Sequence, residues 1–398
     1  MQTPTTAKLF ALCASLALAS CESAPPRWYK GNLHTHTLWS DGNHFPEMVV
    51  DWYAQRDYDF LALTEHNVVA DREKWMQNDV VVRRGGRAAL ADYRARFGDD
   101  WIDERRQDGK LEIRLKRLDE FAPLFEDLLL IPAEEVTSSF QSKPIHINAS
   151  NVASKIDPQR GESVQDVIRK TMRAVAAHAA EHGRPVLAHL NHPNFGWGVT
   201  ADDIAQVTEE RFFEVWNGHP GVNHRGDDAR PGTERLWDIA NTTRRRDLDA
   251  PLLYGLGTDD CHNYHNASGS TPGRGWVMVR ARACTPEALL EAIEAGDFYA
   301  SSGVVLDEVT FDGHTMTIDI AAQGDARYVT EFIGTRRDGE PGEVLARVEG
   351  LRPSYTARGD ELFVRATVTS TLAPDNPVWD GQRRQAWVQP VLPGAATR

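Results

Sequence analysis

The chain has 398 residues, a length that gives a prior of two or three domains at roughly 150 residues each. Its net charge of −14 excludes a general nucleic-acid binder, which would carry a basic footprint. With 41% apolar and 26% charged residues the composition is that of a globular protein, and four cysteines are too few for a disulfide-built scaffold.

Residues 1–20 read as a signal peptide. One charge, Lys8, precedes the apolar run 9–19 (LFALCASLALA), which is too short for a membrane span of about 20 residues. Leu18-Ala19-Ser20-Cys21 resembles a bacterial lipoprotein processing box, which implies cleavage before Cys21 and lipid on that residue. An ordinary secretory signal cut nearby is the alternative. Glu22, rather than Asp, follows the cysteine, so the expected location is the periplasmic side of the cell envelope, at the outer rather than the inner membrane. Residues 21–28 would be a short tether. Its eight steps from Cys21 to Tyr29 reach at most about 28 Å, which holds the start of the first strand near the membrane and turns the other end away.

Between 29 and 302, short β-type runs alternate with helical patterns. The runs are 30–33, 60–63, 128–132, 145–148, 186–188, 212–216, 252–255 and 276–279. Helices are expected at 46–56, with Pro46 in the first turn, at 163–182, and at 285–295. Ser163 with Asp166 forms a capping-box pattern, and Gly183 stops the helix. This alternation predicts an α/β fold with a largely parallel sheet or barrel. From 71 to 126 an insertion separates the second and third strands. Residues 72–117 contain 13 Lys or Arg and 9 Asp or Glu, so the expectation is a helical insertion, able to act as a lid that attracts anions. After 302 only strands are expected, at 304–311, 314–321, 328–334, 343–348, 362–370 and 385–391. They read as a small all-β sandwich-like domain over 303–398.

Polar groups recur at the ends of the first set of strands. His34 and His36, two apart in extended chain, face one side, and Asp41 follows within a turn. Later runs lead into Glu65-His66, Glu134-Glu135, His146, His189 to His192, and Asp259-Asp260-Cys261-His262. Barrel enzymes build their sites at that face, and His with carboxylate suits Zn, Mn or Fe. The ligands are too many for one four-coordinate ion, so a multinuclear site is expected.

Taken in order, HTHTLWSDG, LTEHN, PAEEVT, PIHIN, NHP and DDCH resemble the successive motifs of the PHP (polymerase and histidinol phosphatase) family, across about residues 28–302. The resemblance implies a distorted (β/α)7 barrel and a metal-dependent phosphoesterase with three divalent ions. It implies ligand roles for His34, His36, Asp41, His66, Glu135, His146, His192, Asp260 and His262. Asp41, Glu135, His192 and Asp260 would surround the metal-bound hydroxide that attacks a phosphorylated small molecule or phosphodiester. The family commonly has Asp-His where this chain has Glu65-His66, and Glu65 and Asp259 are expected as supports behind the ligands. Lys143, Arg225, Arg230 and Arg274 are candidates for substrate phosphate. A hydrolase of another bond on the same barrel, and a non-catalytic binding lipoprotein, are the alternative functions.

Two further features are weighed against this reading. His178-x-x-Glu181-His182 matches an inverted zinc-protease pattern, but it sits at a helix end without supporting context. His44, His189, His219, His224, His265 and His314 have no motif support as ligands, although His219 and His224 lie where they could meet substrate. Whether Cys261 and Cys284 pair is open from sequence.

Overall fold

In the computed structural model, which describes residues 25–266 and 268–394, β1 (Arg27–Asn32) leads straight into the His34–His36 segment. The expected lipidation site, Cys21, lies outside the described residues. α1 (Pro46–Ala54) begins with Pro46, whose fixed φ suits a first helical turn, and buries Val49, Val50 and Tyr53. β2 (Phe60–Leu63) is buried along its whole length and runs parallel to β1, with Gly31 opposite Phe60. A Cβ at Gly31 would lie 2.1 Å from the Phe60 ring, so only glycine lets the two strands meet.

The insertion is not purely helical. It contains β3 (Lys74–Gln77), α2 (Asn78–Gly85), α3 (Ala89–Phe97), β4 (Glu104–Gln107), β5 (Lys110–Leu115) and α4 (Leu118–Phe121), with the strands forming an antiparallel sheet in the order β3-β5-β4. Asp108 and Gly109, at φ 51° and 77°, form the two-residue turn that joins β4 to β5. Met76, Val81, Ala89, Tyr93, Ile113 and Leu115 share one apolar cluster with Leu38, Trp39 and Phe45. That packing builds the insertion into the 38–45 loop and argues against a free lid. Several of its cations are also paired: Arg96 with Asp51 of α1 at 2.6 Å, and Arg114 and Lys116 with Asp103 at 2.8 and 2.7 Å.

β6 (Leu129–Phe140) and β7 (Lys143–Ser150) form a long hairpin. α5 (Val164–His182) is capped by the Ser163 side chain, which accepts from Asp166 N, and ends at Gly183 with φ 61°. There follow β8 (Leu187–Leu190), α6 (Ala201–Gln206), β9 (Phe212–Asn217), α7 (Thr233–Arg246), β10 (Tyr254–Thr258), β11 (Trp276–Ala281), α8 (Pro286–Glu294) and β12 (Phe298–Ser301). The row β10-β9-β8-β7-β6-β2-β1 is parallel at every pairing except the two made by β7. Beyond β10 the chain returns to the end of β1: Thr35 bridges Cys261, Asp260 N donates to His34 O at 2.9 Å, and His36 N donates to Cys261 O at 2.9 Å.

Seven further strands complete the chain: β13 (Leu306–Phe311), β14 (Thr315–Ile320), β15 (Tyr328–Arg336), β16 (Glu343–Glu349), β17 (Ser354–Thr356), β18 (Glu361–Ser370) and β19 (Gln385–Val391). The boundary read at 302/303 does not interrupt the sheet. From β1 it continues through β11-β12-β19-β18-β15-β16, with Tyr299 of β12 opposite Val388 of β19. β13, β14 and β17 make a third sheet, and its Met316, Ile318 and Tyr355 pack with Phe332, Ala366 and Val388.

A buried ion pair fastens the C-terminal strands to α7. Arg365 of β18 grips Asp238 bidentately, Nε to Oδ1 at 2.7 Å and Nη2 to Oδ2 at 2.8 Å, and both side chains are nearly inaccessible. Removing one partner leaves a charge stranded in low dielectric. Arg365→Met is therefore expected to lower stability by about 3–5 kcal/mol, measured by chemical denaturation. Adding Asp238→Asn should return part of the loss.

Candidate metal centre

The extended chain after β1 puts His34 and His36 on one side, while Thr35 between them turns to Cys261. The turn that follows swings Asp41 back over His36. His66 comes from the end of β2, Glu135 from the middle of β6, and His146 from β7 across the hairpin. His192 follows β8, and Asp260 and His262 follow β10. His192 and Asp260 sit at φ 23° and 47°, a left-handed region uncommon for residues with a Cβ and one that clusters at functional sites.

The structure brings all nine expected ligands together. Their nitrogen and oxygen atoms form groups lying within 4.8 Å: His36, Asp41, His66 and His262; His34, His36 and Glu135; His66, Glu135 and His146; His34, His192 and Asp260. His34 Nε2 and His36 Nε2 are 3.2 Å apart. Glu135 Oε2 lies 2.9 Å from His66 Nδ1 and 3.3 Å from His36 Nε2. Asp260 Oδ1 lies 3.3 Å from His34 Nε2 and 3.4 Å from His36 Nε2. Asp41 bridges the outer pair, at 3.3 Å from His262 Nε2 and 3.4 Å from His66 Nε2.

Divalent ions fit this donor set. His146 Nδ1 is 2.8 Å from Glu135 Oε1, yet His146 Nδ1 and Glu135 Oε2 are both buried without a correctly directed hydrogen bond among the described residues. Lone pairs that converge on shared space without serving one another are what ligands around an ion do. The field agrees. Burial disfavours the charged forms of Glu135 and Asp260, but the surrounding imidazoles overcome it and hold both carboxyls well below their usual range. Burial likewise opposes a charged His34, yet Asp260, Glu214 and Glu135 raise its pKa well above the ordinary value. Burial and the neighbouring His262 lower His36 to about 4.

The choice between adjacent candidates has a structural basis. Glu134 turns away, accepts from Ile156 N, and is pushed by burial to about 7. His189 faces Glu214 at 3.5 Å instead of the main cluster. Glu65 does not orient His66: it accepts from Thr37 N at 3.0 Å and from Ser40 Oγ, and so fixes the turn that carries Asp41. Asp259 does not reach the cluster either. It accepts from the backbone N–H groups of Gly273, Arg274 and Gly275 at 2.9, 2.6 and 2.9 Å, and from Tyr53 OH at 2.8 Å.

The proposed phosphate contacts are placed less favourably. Arg274 is buried, with Nη1 donating to Gly218 O and Gly269 O at 3.0 and 2.7 Å, so its charge is committed to the backbone. Arg230 pairs with Asp227 and lies over Trp197 at 3.8 Å. Lys143 is exposed at the tip of the β6–β7 hairpin, and Arg225 is exposed in the loop after β9. The 178–182 pattern lies on α5, where His178 Nε2 accepts from Ala153 N at 3.0 Å. Cys261 and Cys284 are both free thiols.

Sequence reasoning passed over Glu214. It is fully buried in β9, receives His34 Nδ1 at 2.6 Å and Thr258 Oγ1 at 2.8 Å, and forms a further potential ligand group with His34 and His189. A glutamate inside FFEVWN is the signal that could have found it, since a buried carboxylate must have partners. Asn217 completes the support, donating through Nδ2 to Glu214 Oε2 at 2.8 Å and to Asp260 Oδ2 at 3.1 Å.

No protein-family model matches the chain, and no curated protein matches it. Among the solved structures that are similar, three illustrate the low identity. A two-domain protein from Bacteroides vulgatus containing a predicted PHP-like metal-dependent phosphoesterase is 16% identical, with 92% of this chain and 95% of that one covered and a TM-score of 0.42. A candidate metal-dependent phosphoesterase from Bifidobacterium adolescentis is 14% identical over 62% of this chain and 92% of its own, with a TM-score of 0.33. An amidohydrolase from Chromobacterium violaceum with bound sulfate is 16% identical over 58% and 87%, with a TM-score of 0.27. At these scores the likenesses carry no functional argument.

The geometry around His34 makes its own prediction. With Nδ1–H held by Glu214, Nε2 is left to face an ion, the carboxylate–histidine–metal arrangement. Glu214→Gln should weaken metal binding about 10–100-fold, read by metal titration and by metal content after dialysis.

Proposed function

We propose that the protein is a metal-dependent phosphoesterase of PHP type, built on a (β/α)7 barrel, that hydrolyses a phosphate ester with the help of divalent ions, three in number, of Zn, Mn or Fe. The observation that carries the reading is the convergence of nine His, Asp and Glu side chains from separate strand ends into overlapping groups, with atoms left unpaired in the shared space. Divalent ions supply charge neutralisation for phosphate oxygens and acidify coordinated water.

The chain's own residues arrange the rest. His34, His36 and Glu135 are fully buried, while the side chains of His262, His66 and Asp41 are 24%, 28% and 49% exposed. A substrate phosphate therefore enters past Asp41, His66 and His262 towards a closed floor. Glu214 holds the tautomer and direction of His34, Thr137 Oγ1 meets His66 Nδ1 at 2.6 Å, and Asn191 donates to Glu135 Oε1 at 2.8 Å. Each of these ligands is thus aimed before substrate arrives, which is where electrostatic catalysis gains most.

Lipid attachment at Cys21 and a place on the periplasmic side of the envelope belong to the same proposal, on the strength of the apolar run 9–19 and the small residues before Cys21. With β1 starting near the membrane, the ligand-bearing end would face away from it. Among the described residues no helix is long and apolar enough to cross a membrane.

The test is turnover of p-nitrophenyl phosphate and bis(p-nitrophenyl) phosphate by the purified protein with added Mn²⁺ or Zn²⁺. Activity should vanish with a chelator, return on adding metal, and fall at least about 100-fold in Glu135→Gln. Amide hydrolysis without any phosphate-ester turnover would overturn the proposal.

A further inference from the structure

His219 stands two residues beyond β9 and outside every ligand group described above. Its ring lies edge-on to Phe195, with centroids 5.4 Å apart at 87°, and to His262, at 5.8 Å and 78°. Its position is tied to the metal centre through a single side chain: His219 N donates to Asn217 Oδ1 at 2.8 Å, and the same amide's Nδ2 donates to Asp260 at 3.1 Å.

The ring's tautomer is also determined. Gly221 N donates to His219 Nδ1 at 3.0 Å, and a nitrogen that accepts a hydrogen bond carries no proton. The close approach depends on glycine, because a Cβ at position 221 would lie 3.0 Å from the ring. The neutral imidazole therefore carries its proton on Nε2, for which the described residues provide no acceptor.

The level of this donor relative to the floor decides what it meets. Phosphate oxygens are drawn to the buried end of the site, so the carbon part of an ester has to leave through the exposed side. The bridging oxygen then lies towards the exposed side, which His262 borders and where the half-buried His219 ring meets His262 edge-on, with Phe195 beside it. Resting on the phosphoesterase reading, we propose that His219 is a neutral hydrogen-bond donor to the leaving oxygen of the ester, with Phe195 beside the departing organic group.

In this role the ring keeps its proton. Water forms the new bond to phosphorus and releases one proton to solvent, the bond from phosphorus to the ester oxygen breaks, and that oxygen takes a proton from solvent. The Nε2–H stabilises charge as it develops on the leaving oxygen, an effect that grows as the leaving group becomes more basic.

The experiment compares wild type, His219→Ala and His219→Gln on phosphate esters of phenols of graded acidity, from dinitrophenyl to unsubstituted phenyl, with metal content measured on each sample. His219→Ala should lose about 100-fold in kcat on the phenyl ester and only a few-fold on the dinitrophenyl ester, at unchanged metal content. His219→Gln, whose amide places an N–H near the same point, should recover part of the loss. A loss that is equal for all esters, no loss at all, or a fall in metal content would overturn the assignment to His219. A wild-type protein that cleaves none of the esters would overturn the phosphoesterase reading and this inference together.

Discussion

The centre of the fold is a problem of charge. Glu135, Asp260 and Glu214 are shut away from water inside the strand row, where an isolated carboxylate would cost several kcal/mol. What makes their burial tolerable is the ring of imidazoles around them, and those imidazoles are fixed by the same carboxylates. Neither set is stable there alone. The strand ends must therefore be delivered to one point, and the hydrogen bonds that return the segment after β10 to the end of β1 are the backbone expression of that requirement.

Around this centre the supports are graded. Glu214 and Asn217 hold ligands directly, whereas Glu65 and Asp259 hold the turns from which Asp41 and Asp260 project. The insertion acts one step further out, packing Leu38, Trp39 and Phe45 from the far side of the Asp41 turn. An acidic protein thus carries its cations in places where they brace the structure.

Much of this was legible in the sequence, and for a physical reason. Strand ends bearing His and carboxylate announce themselves by residue type, because few other roles put such groups after apolar runs. The nine side chains singled out in sequence therefore lie together in three dimensions, with Glu135 rather than Glu134 turned towards the others. Direction was not legible. Nothing in the neighbourhood of Arg274 shows that its guanidinium turns to backbone carbonyls, and Glu65 sits beside His66 in sequence while bonding to the 37–40 turn in space. The sheet within the insertion was hidden because charged side chains alternate with its few buried ones, although Asp108-Gly109 marks the hairpin. That one sheet runs across 302/303 was hidden for a different reason: a strand pattern reports local periodicity and says nothing about which strand it will join.

That joining has a consequence for how the chain reaches its folded state. β1 pairs with β11, and β12 pairs with β19, so partners are separated by a large part of the molecule. Contacts this remote in sequence slow folding, because a long loop must close before they form. During synthesis, the first strand waits for residues near 280 and the interior strands wait for the last one. The histidines at 34 and 36 emerge early, and their carboxylate partner at 260 comes much later. The two ends of this cluster meet only once the segment after β10 has been made and has folded back onto the end of β1.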